Sequence, residues 1–341
     1  MTHKRCLPIL FLLHLACDAD RPGIVDAGAP DGGPWVSDSA GTVDAAPGDP
    51  AGDTAAGPDA SCAPVAARRT LDIAYATMAG VAPELLSLDI ASPARPDGCK
   101  LAPVVVWTHG GGWASGDKGN NMLDKVALFN GAGYVLVSIN YRLSPDPPSG
   151  DPQRIKYPVH PEDVARALDW IVDNIESHGG DPSRLALLGH SAGAHLVALV
   201  STDEGFLAAH GRQLTLVRCT GSLDTEGYDI PTHLKTATVT SQALYQNAFG
   251  SDPAIWAQAS PTNHIAPGKG IPPFIFASRG TAARQAQLKA FADKLEQVGV
   301  KTTIIDAVTL SHAEVNAHIG APGDTIMTPP LMAFLKSCLG G

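Results

Sequence analysis

Two short runs in this chain hold residue types that together could carry out acyl transfer: Gly189-His-Ser-Ala-Gly193 and, some eighty residues earlier, His109-Gly-Gly-Gly-Trp113. A serine hydroxyl is a weak nucleophile until it is presented clear of the backbone and given a base. The Gly-x-Ser-x-Gly spacing does the first, because it forces Ser191 onto a sharp strand-to-helix turn. Glycines flank it where side chains would strike the neighbouring strand and helix. The glycine run supplies backbone N–H groups free to face a developing oxyanion.

Ser191 needs a base, and most of the twelve histidines are poorly placed for it. His3 and His14 lie in the leading segment, and His190 and His195 flank the nucleophile itself. His109 opens the glycine run and is expected to brace that loop. His312 is different: it follows the last expected strand in a polar turn, Thr309-Leu-Ser-His-Ala-Glu314. For the acid that orients such a base, Asp224 stands just beyond the strand ending at Leu223. Glu226, Asp229 and Asp306 remain alternatives. Asp293 falls deep inside an expected helix.

These groups can meet only if strands and helices bring their ends together. Apolar runs predict strands over 70–76, 85–90, 104–108, 134–139, 184–189, 214–223, 273–278 and 302–307. Gly80 and Pro83 predict an antiparallel pairing of the first two. Helical patterns fall between the others, over 121–130, 161–177, 192–202, 283–298 and 324–337. The second shows Val164, Leu168, Ile171, Val172 and Ile175 on one face, with carboxylates expected on the other. Such alternation predicts an α/β fold: an eight-stranded, mostly parallel sheet with helices on both faces. It lapses between Leu223 and Pro272, where only 239–249 reads as helical. Long excursions at the carboxyl ends of strands commonly build a binding pocket.

The 341 residues divide unevenly. Residues 1–17 carry Lys4 and Arg5, an apolar stretch and Cys17, the pattern of a secretory signal peptide of the lipoprotein type. The only membrane partner this predicts is through a lipid on Cys17. Residues 18–61 hold nine Asp against one Arg and few large apolar side chains, so a disordered linker is expected there. The rest of the chain, 62–341, is expected to be one catalytic domain. The linker carries most of the net charge of −10, and no basic run is present, which argues against nucleic acid as a partner. Cys62, Cys99, Cys219 and Cys338 remain beyond the leader, an even number suited to two disulfides in an exported chain. Cys62–Cys99 with Cys219–Cys338 is the preferred pairing, and the two other pairings stay open. No cysteine spacing suggests zinc.

The stretch from about residue 70 to 337 resembles the α/β-hydrolase carboxylesterases with a His-Gly-Gly-Gly-Trp motif. It is most similar to their acetyl- and feruloyl-esterase-like and arylformamidase-like members. Besides the two glycine motifs, the matching stretches are Asn140-Tyr-Arg-Leu143, Pro161-Glu-Asp-Val-Ala-Arg-Ala-Leu168, Asp181-Pro-Ser-Arg184, Ala248-Phe-Gly250 and Ala259-Ser-Pro261. The resemblance implies Ser191 as nucleophile, His312 as base, and the N–H groups of Gly111, Gly112 and Ala192 as the oxyanion hole. It implies a small-molecule ester of short acyl or aryl type as substrate, with no metal or organic cofactor. In this family the acid follows the penultimate strand, but Ser278-Arg-Gly-Thr-Ala-Ala-Arg284 holds no carboxylate, so that assignment does not transfer. An arylformamidase-type amide hydrolase and a non-catalytic hydrolase-fold binding protein are the competing expectations.

Overall fold

Eight strands, β1 (Ala67–Ala74), β2 (Ser87–Pro93), β3 (Ala102–Thr108), β4 (Val135–Ile139), β5 (Gly180–His190), β6 (Val217–Leu223), β7 (Phe274–Ser278) and β8 (Thr302–Asp306), form one sheet in the order β1-β2-β4-β3-β5-β6-β7-β8. The computed structural model describes residues 67–93, 98–146 and 148–340. The expected leader, the linker, Cys17 and Cys62 lie outside those residues. β1 and β2 are antiparallel to their neighbours, and every pairing from β4 to β8 is parallel. This is the expected α/β-hydrolase sheet, and the antiparallel pair at its edge is joined through Gly80 and a short 3-10 turn at Pro83–Leu86.

Among the described residues ten α-helices follow in chain order: α1 (Leu123–Gly131), α2 (Val159–Asn174), α3 (Ala192–Val200), α4 (Glu204–Ala208), α5 (Ile230–Leu234), α6 (Val239–Phe249), α7 (Pro253–Gln258), α8 (Ala282–Gln297), α9 (His312–Ala317) and α10 (Thr328–Leu339). The two-residue period of the strands sorts them onto two faces. Val104, Val106, Leu185 and Leu187 pack with Val164, Leu168 and Ile171 of α2 and Leu196 and Val197 of α3. Val105, Trp107 and Leu188 pack on the opposite face with Val126 and Phe129 of α1 and Leu331 and Leu335 of α10. Strands covered on both faces read as unbroken apolar runs, and Val104-Val-Val106 is such a run.

Two expectations need correction. The carboxylates of α2 do not all face outward: Asp163 is fully buried, because Arg142 grips it through Nε (2.7 Å) and Nη2 (2.6 Å) and Arg166 adds a third contact (2.7 Å). That network joins the Asn140–Leu143 stretch to α2. The excursion after β6 is also more helical than its sequence suggested. Asp229 and Asp252 cap the short helices α5 and α7 with their side chains, supplying the local order that periodicity could not reveal. At the other end of the sheet, Cys219 of β6 is bonded to Cys338 of α10, as preferred, at a sequence separation of 119. Closing a loop of that length stabilises the folded state by about 5 kcal/mol in the chain-entropy picture.

Lys125 ties α1 to α9. Its ammonium is buried over the Trp107 ring, 4.8 Å from the centroid, and donates to the carbonyls of Asn121 (3.0 Å) and Asn316 (2.9 Å). Burial pushes its pKa down to about 7. Since the unfolded chain holds that proton to about pH 10.4, it binds more protons than the fold between these values. Stability therefore rises with pH across this window. Relative to Lys125→Met, the native chain should gain up to ~1.4 kcal/mol per pH unit between pH 7 and 10 in urea unfolding. A difference that stays flat with pH would mean that Lys125 keeps its ordinary proton in the fold.

Candidate active site

Ser191 sits between the end of β5 and the start of α3 with φ 56° and ψ −121°, a conformation that is strained for a residue with a Cβ. Its surroundings hold it there. The Ser191 N–H donates to Leu223 O (3.1 Å), fastening the turn to the end of β6. Close approach explains the flanking glycines: a Cβ on Gly193 would lie 2.2 Å from Thr108 O, and one on Gly189 2.5 Å from the Gly193 backbone. The last residues of β3 and the first turn of α3 are thus in backbone contact, which sets the glycine loop beside the serine.

His312 meets Ser191 as the sequence suggested. Its Nε2 lies 2.8 Å from Ser191 Oγ, and its Nδ1 lies 2.5 Å from Asp224 Oδ2. With Nδ1–H donating to the carboxylate, the Nε2 lone pair accepts the serine hydroxyl. His312 is not in a free turn, however, but is the first residue of α9. Ser311 caps that helix and Glu314 returns the bond, with Ser311 N–H donating to Glu314 Oε2 (2.7 Å). The capping box Ser311-x-x-Glu314 was legible in the sequence. The neighbouring His190 donates from Nε2 to His312 O (2.9 Å). Burial, reinforced by His312, pushes the His190 imidazole down to about 3, so it stays neutral and serves as a strut.

Asp224 is the acid that reaches the imidazole, and it is 1 % exposed. It too has a positive φ, 65°, which turns its side chain back across the ends of the strands. Burial opposes its charge, but the His312 hydrogen bond and the Arg284 and Arg279 guanidiniums outweigh it. Together they hold the carboxyl well below the usual carboxylate range. Arg279, in the turn after β7, donates from Nε to Oδ2, and Arg284, in the first turn of α8, donates from Nη2 to Oδ1. Nothing local in Ser278–Arg284 says which carboxylate these arginines will meet, so they are not legible in the sequence. The alternatives are occupied elsewhere. Glu226 pairs with Arg284 Nη1 (2.8 Å), Asp229 caps α5, and Asp306 is exposed at the end of β8, accepting from Val308 N–H (3.2 Å).

The glycine loop lies against the serine: a Cβ on Gly110 would stand 2.9 Å from that of Ser191. Gly111 and Gly112 take φ of 110° and 59°, which turns successive peptide planes. Among the described residues the Gly111, Gly112 and Ala192 N–H groups donate to no protein acceptor. His109 braces the loop as expected, with its ring stacked on Tyr141 at 4.5 Å and Nδ1 donating to Gly110 O (2.7 Å). Trp113 is core, packed edge-on against His195, Tyr245 and Phe249. His190, Asp224 and His312 place potential metal ligands within 4.8 Å of one another. In the fold, His190 Nε2 and both His312 nitrogens are already engaged in the hydrogen bonds above.

Comparison with known proteins agrees with this arrangement. The BD-FAE family profile matches residues 88–294, well over half of the chain. The chain belongs to the BD-FAE family. The carboxylesterase NlhH of Mycobacterium tuberculosis is 30% identical over 250 residues, covering 70% of this chain and 74% of its own. The esterase LipQ of the same organism is 29% identical over 236 residues, 66% of this chain and 52% of its own. The chain thus spans about half the length of LipQ. Among solved structures, a phosphonate-inhibited esterase B from Lactobacillus rhamnosis superposes with a TM-score of 0.64 at 20% identity, covering 82% of this chain and 88% of its own. That likeness confirms the α/β-hydrolase fold.

The backbone contact at residue 193 is open to test in this BD-FAE member. Gly193→Ala should destabilise by roughly 2–3 kcal/mol and lower the thermal midpoint by roughly 5–10 °C. Gly131→Ala, whose added Cβ meets nothing within 4 Å, should leave the midpoint unchanged or raise it. Circular-dichroism melts of both variants decide the matter; equal midpoints would mean that the turn relaxes freely.

Proposed function

We propose that this protein is a serine carboxylesterase that hydrolyses short-chain or aryl carboxylic esters through an acyl-enzyme on Ser191. The observation that carries the reading is the continuous hydrogen-bonded chain Ser191 Oγ–His312–Asp224, with spans of 2.8 and 2.5 Å. A fold kept only for binding has no use for that chain beside three undirected amides. The carboxylesterase and esterase names of NlhH and LipQ point to the same bond type.

In this mechanism His312 Nε2 takes the Ser191 proton as Oγ attacks the ester carbonyl carbon. Asp224 holds the Nδ1 proton and steadies the imidazolium without accepting it. The tetrahedral oxyanion is received by the Gly111, Gly112 and Ala192 N–H groups, each worth about 3 kcal/mol in systems where such a donor has been removed. The imidazolium then protonates the leaving alcohol and the C–O bond breaks. Water, deprotonated by the same base, repeats the sequence on the acyl-enzyme and frees the acid. The partner is a small-molecule ester, and no cofactor takes part.

The same proposal places the enzyme outside the cytoplasm, as a secreted or cell-envelope lipoprotein held through Cys17. The leader pattern supports it, and so does the Cys219–Cys338 bond, which suits an oxidising compartment. Intact-mass analysis of the mature protein should find a diacylated Cys17 at the amino terminus; an uncleaved Met1 would overturn export by this route.

For the chemistry, p-nitrophenyl acetate turnover should vanish to background in Ser191→Ala and fall about 10³–10⁴-fold in Asp224→Asn. Asp306→Asn should retain native turnover. A p-nitrophenyl phosphonate should phosphonylate Ser191 alone, adding the mass of the ester less that of the p-nitrophenol released. Turnover of N-formyl aryl amines in preference to every acetyl-to-butyryl ester would replace the esterase by an amidase, and no turnover of either would leave a binding protein.

A further inference from the structure

We propose that Arg279 and Arg284 are positioning residues of this relay: they aim Asp224 at His312 in place of the acid missing from the β7–α8 turn, and they extend activity toward lower pH by opposing protonation of the resting base. The inference rests on the serine-esterase reading and adds to it how this chain runs with its acid on a different strand.

The geometry is built for the purpose. Asp224 is nearly inaccessible, and its two oxygens are shared among three donors: Arg279 and His312 on Oδ2, Arg284 on Oδ1. An acid at the end of β6 has no partner of its own to fix its rotation, and the arginines supply that fixation. Gly280 makes room for one of them, since a Cβ there would lie 2.9 Å from Arg284 Cδ. Thr281 caps α8 by accepting from Arg284 N–H (3.3 Å), which roots that residue in the first turn. The far side of the same guanidinium holds Glu226 at 2.8 Å.

The charges around His312 follow from this count. Asp224 and Glu226 on the β6 side face Arg279 and Arg284 on the β7 side, so the cluster is balanced while His312 is neutral. His190, packed on His312 at 4.5 Å between ring centroids, is held neutral by burial, and the buried Lys125 is a further cation behind it. Glu314 lies on α9 itself and His318 caps its end, and Asp306 is exposed at the end of β8. A proton on His312 thus adds an uncompensated positive charge, whereas beside a lone aspartate it would neutralise one. Removing either guanidinium therefore favours the imidazolium, and the base is lost at higher pH.

The test is kcat/KM for p-nitrophenyl acetate against pH, with the full chain and its Arg279→Gln, Arg284→Gln and Arg284→Lys variants. Each Gln variant should move the acid limb upward by about one pH unit. Each should also lower the plateau kcat about ten-fold through loss of aim. Arg284→Lys should return the limb to its native position while recovering only part of kcat, since ammonium keeps the charge and loses the fork. A limb unmoved in both Gln variants overturns the proposal, leaving the arginines as scaffolding whatever their effect on kcat. An upward limb that Arg284→Lys does not restore also overturns it. Should Arg284→Gln fail to fold, Arg279→Gln decides alone, because among the described residues its guanidinium pairs only with Asp224. Failure of the underlying reading looks different: the native chain would turn over esters no faster than Ser191→Ala.

Discussion

The catalytic edge depends on one backbone contact, the meeting of the first turn of α3 with the end of β3 at Gly193 and Thr108. No side chain fits there, so the approach is limited only by main-chain atoms. That closeness has two consequences at once. It bends the chain sharply enough to put Ser191 at positive φ with its hydroxyl outward, and it draws the His109–Trp113 loop up against the serine. The proposed nucleophile on β5 and the proposed anion cradle on β3 thereby share one wall. Neither motif would be useful without the other, and the shared wall is why their coexistence in the sequence meant more than either alone.

Burial then selects which histidine can act. His109, His160, His190 and His195 surround this wall, and in each burial pushes the imidazole below its ordinary range. A group that cannot carry charge cannot hold a proton during turnover. These rings act instead as struts: His190 fixes the His312 carbonyl, and His195 donates to Ala259 O at 2.8 Å. Among the described residues, His312 is the histidine beside Ser191 that keeps partial contact with solvent, its side chain 32% accessible, and the one that reaches both the hydroxyl and a carboxylate.

What the sequence disclosed divides along physical lines. Features enforced by local sterics could be read directly: the nucleophile turn, the glycine loop, the strand order's apolar runs and α6, whose limits at Val239 and Phe249 were expected as observed. Asp224 could be nominated because it stands one residue past a strand that had to end beside β5, but its rivals could be dismissed only in three dimensions. Glu226 and Asp224 are two residues apart and share Arg284, but Asp224 alone of the two is buried and meets Arg279 and His312. Arg279 and Arg284 were illegible because their partner lies across a strand boundary, and charge pairs through space leave no period in a sequence. Short capped helices escaped for another reason. α5, α7 and α9 are five or six residues long, too brief for an amphipathic pattern, although the capping residues Asp229, Asp252 and Ser311 were in view.

A triad acid on β6, as proposed for Asp224, is allowed by the geometry of a parallel sheet. Leu223 pairs with Ala277, and Ser278 with Asp306, so the residues leaving β6, β7 and β8 emerge nearly level with one another. Adjacent strands are about 4.8 Å apart, so β6 stands about 10 Å from β8, the strand that delivers His312. An aspartate and an imidazole can close that gap only if each leans toward the other across the top of β7. The positive φ of Asp224 and the capped start of α9 provide the two leans. The top of β7 must then be vacant of any carboxylate that would compete for the same Nδ1–H, and something must neutralise a charge now buried between strands. Arg279 and Arg284 meet both requirements from the position the acid would otherwise occupy. In the proposed relay the missing carboxylate after Gly280 and the presence of Asp224 thus serve one arrangement, with the arginines standing where the acid would and holding the one on β6.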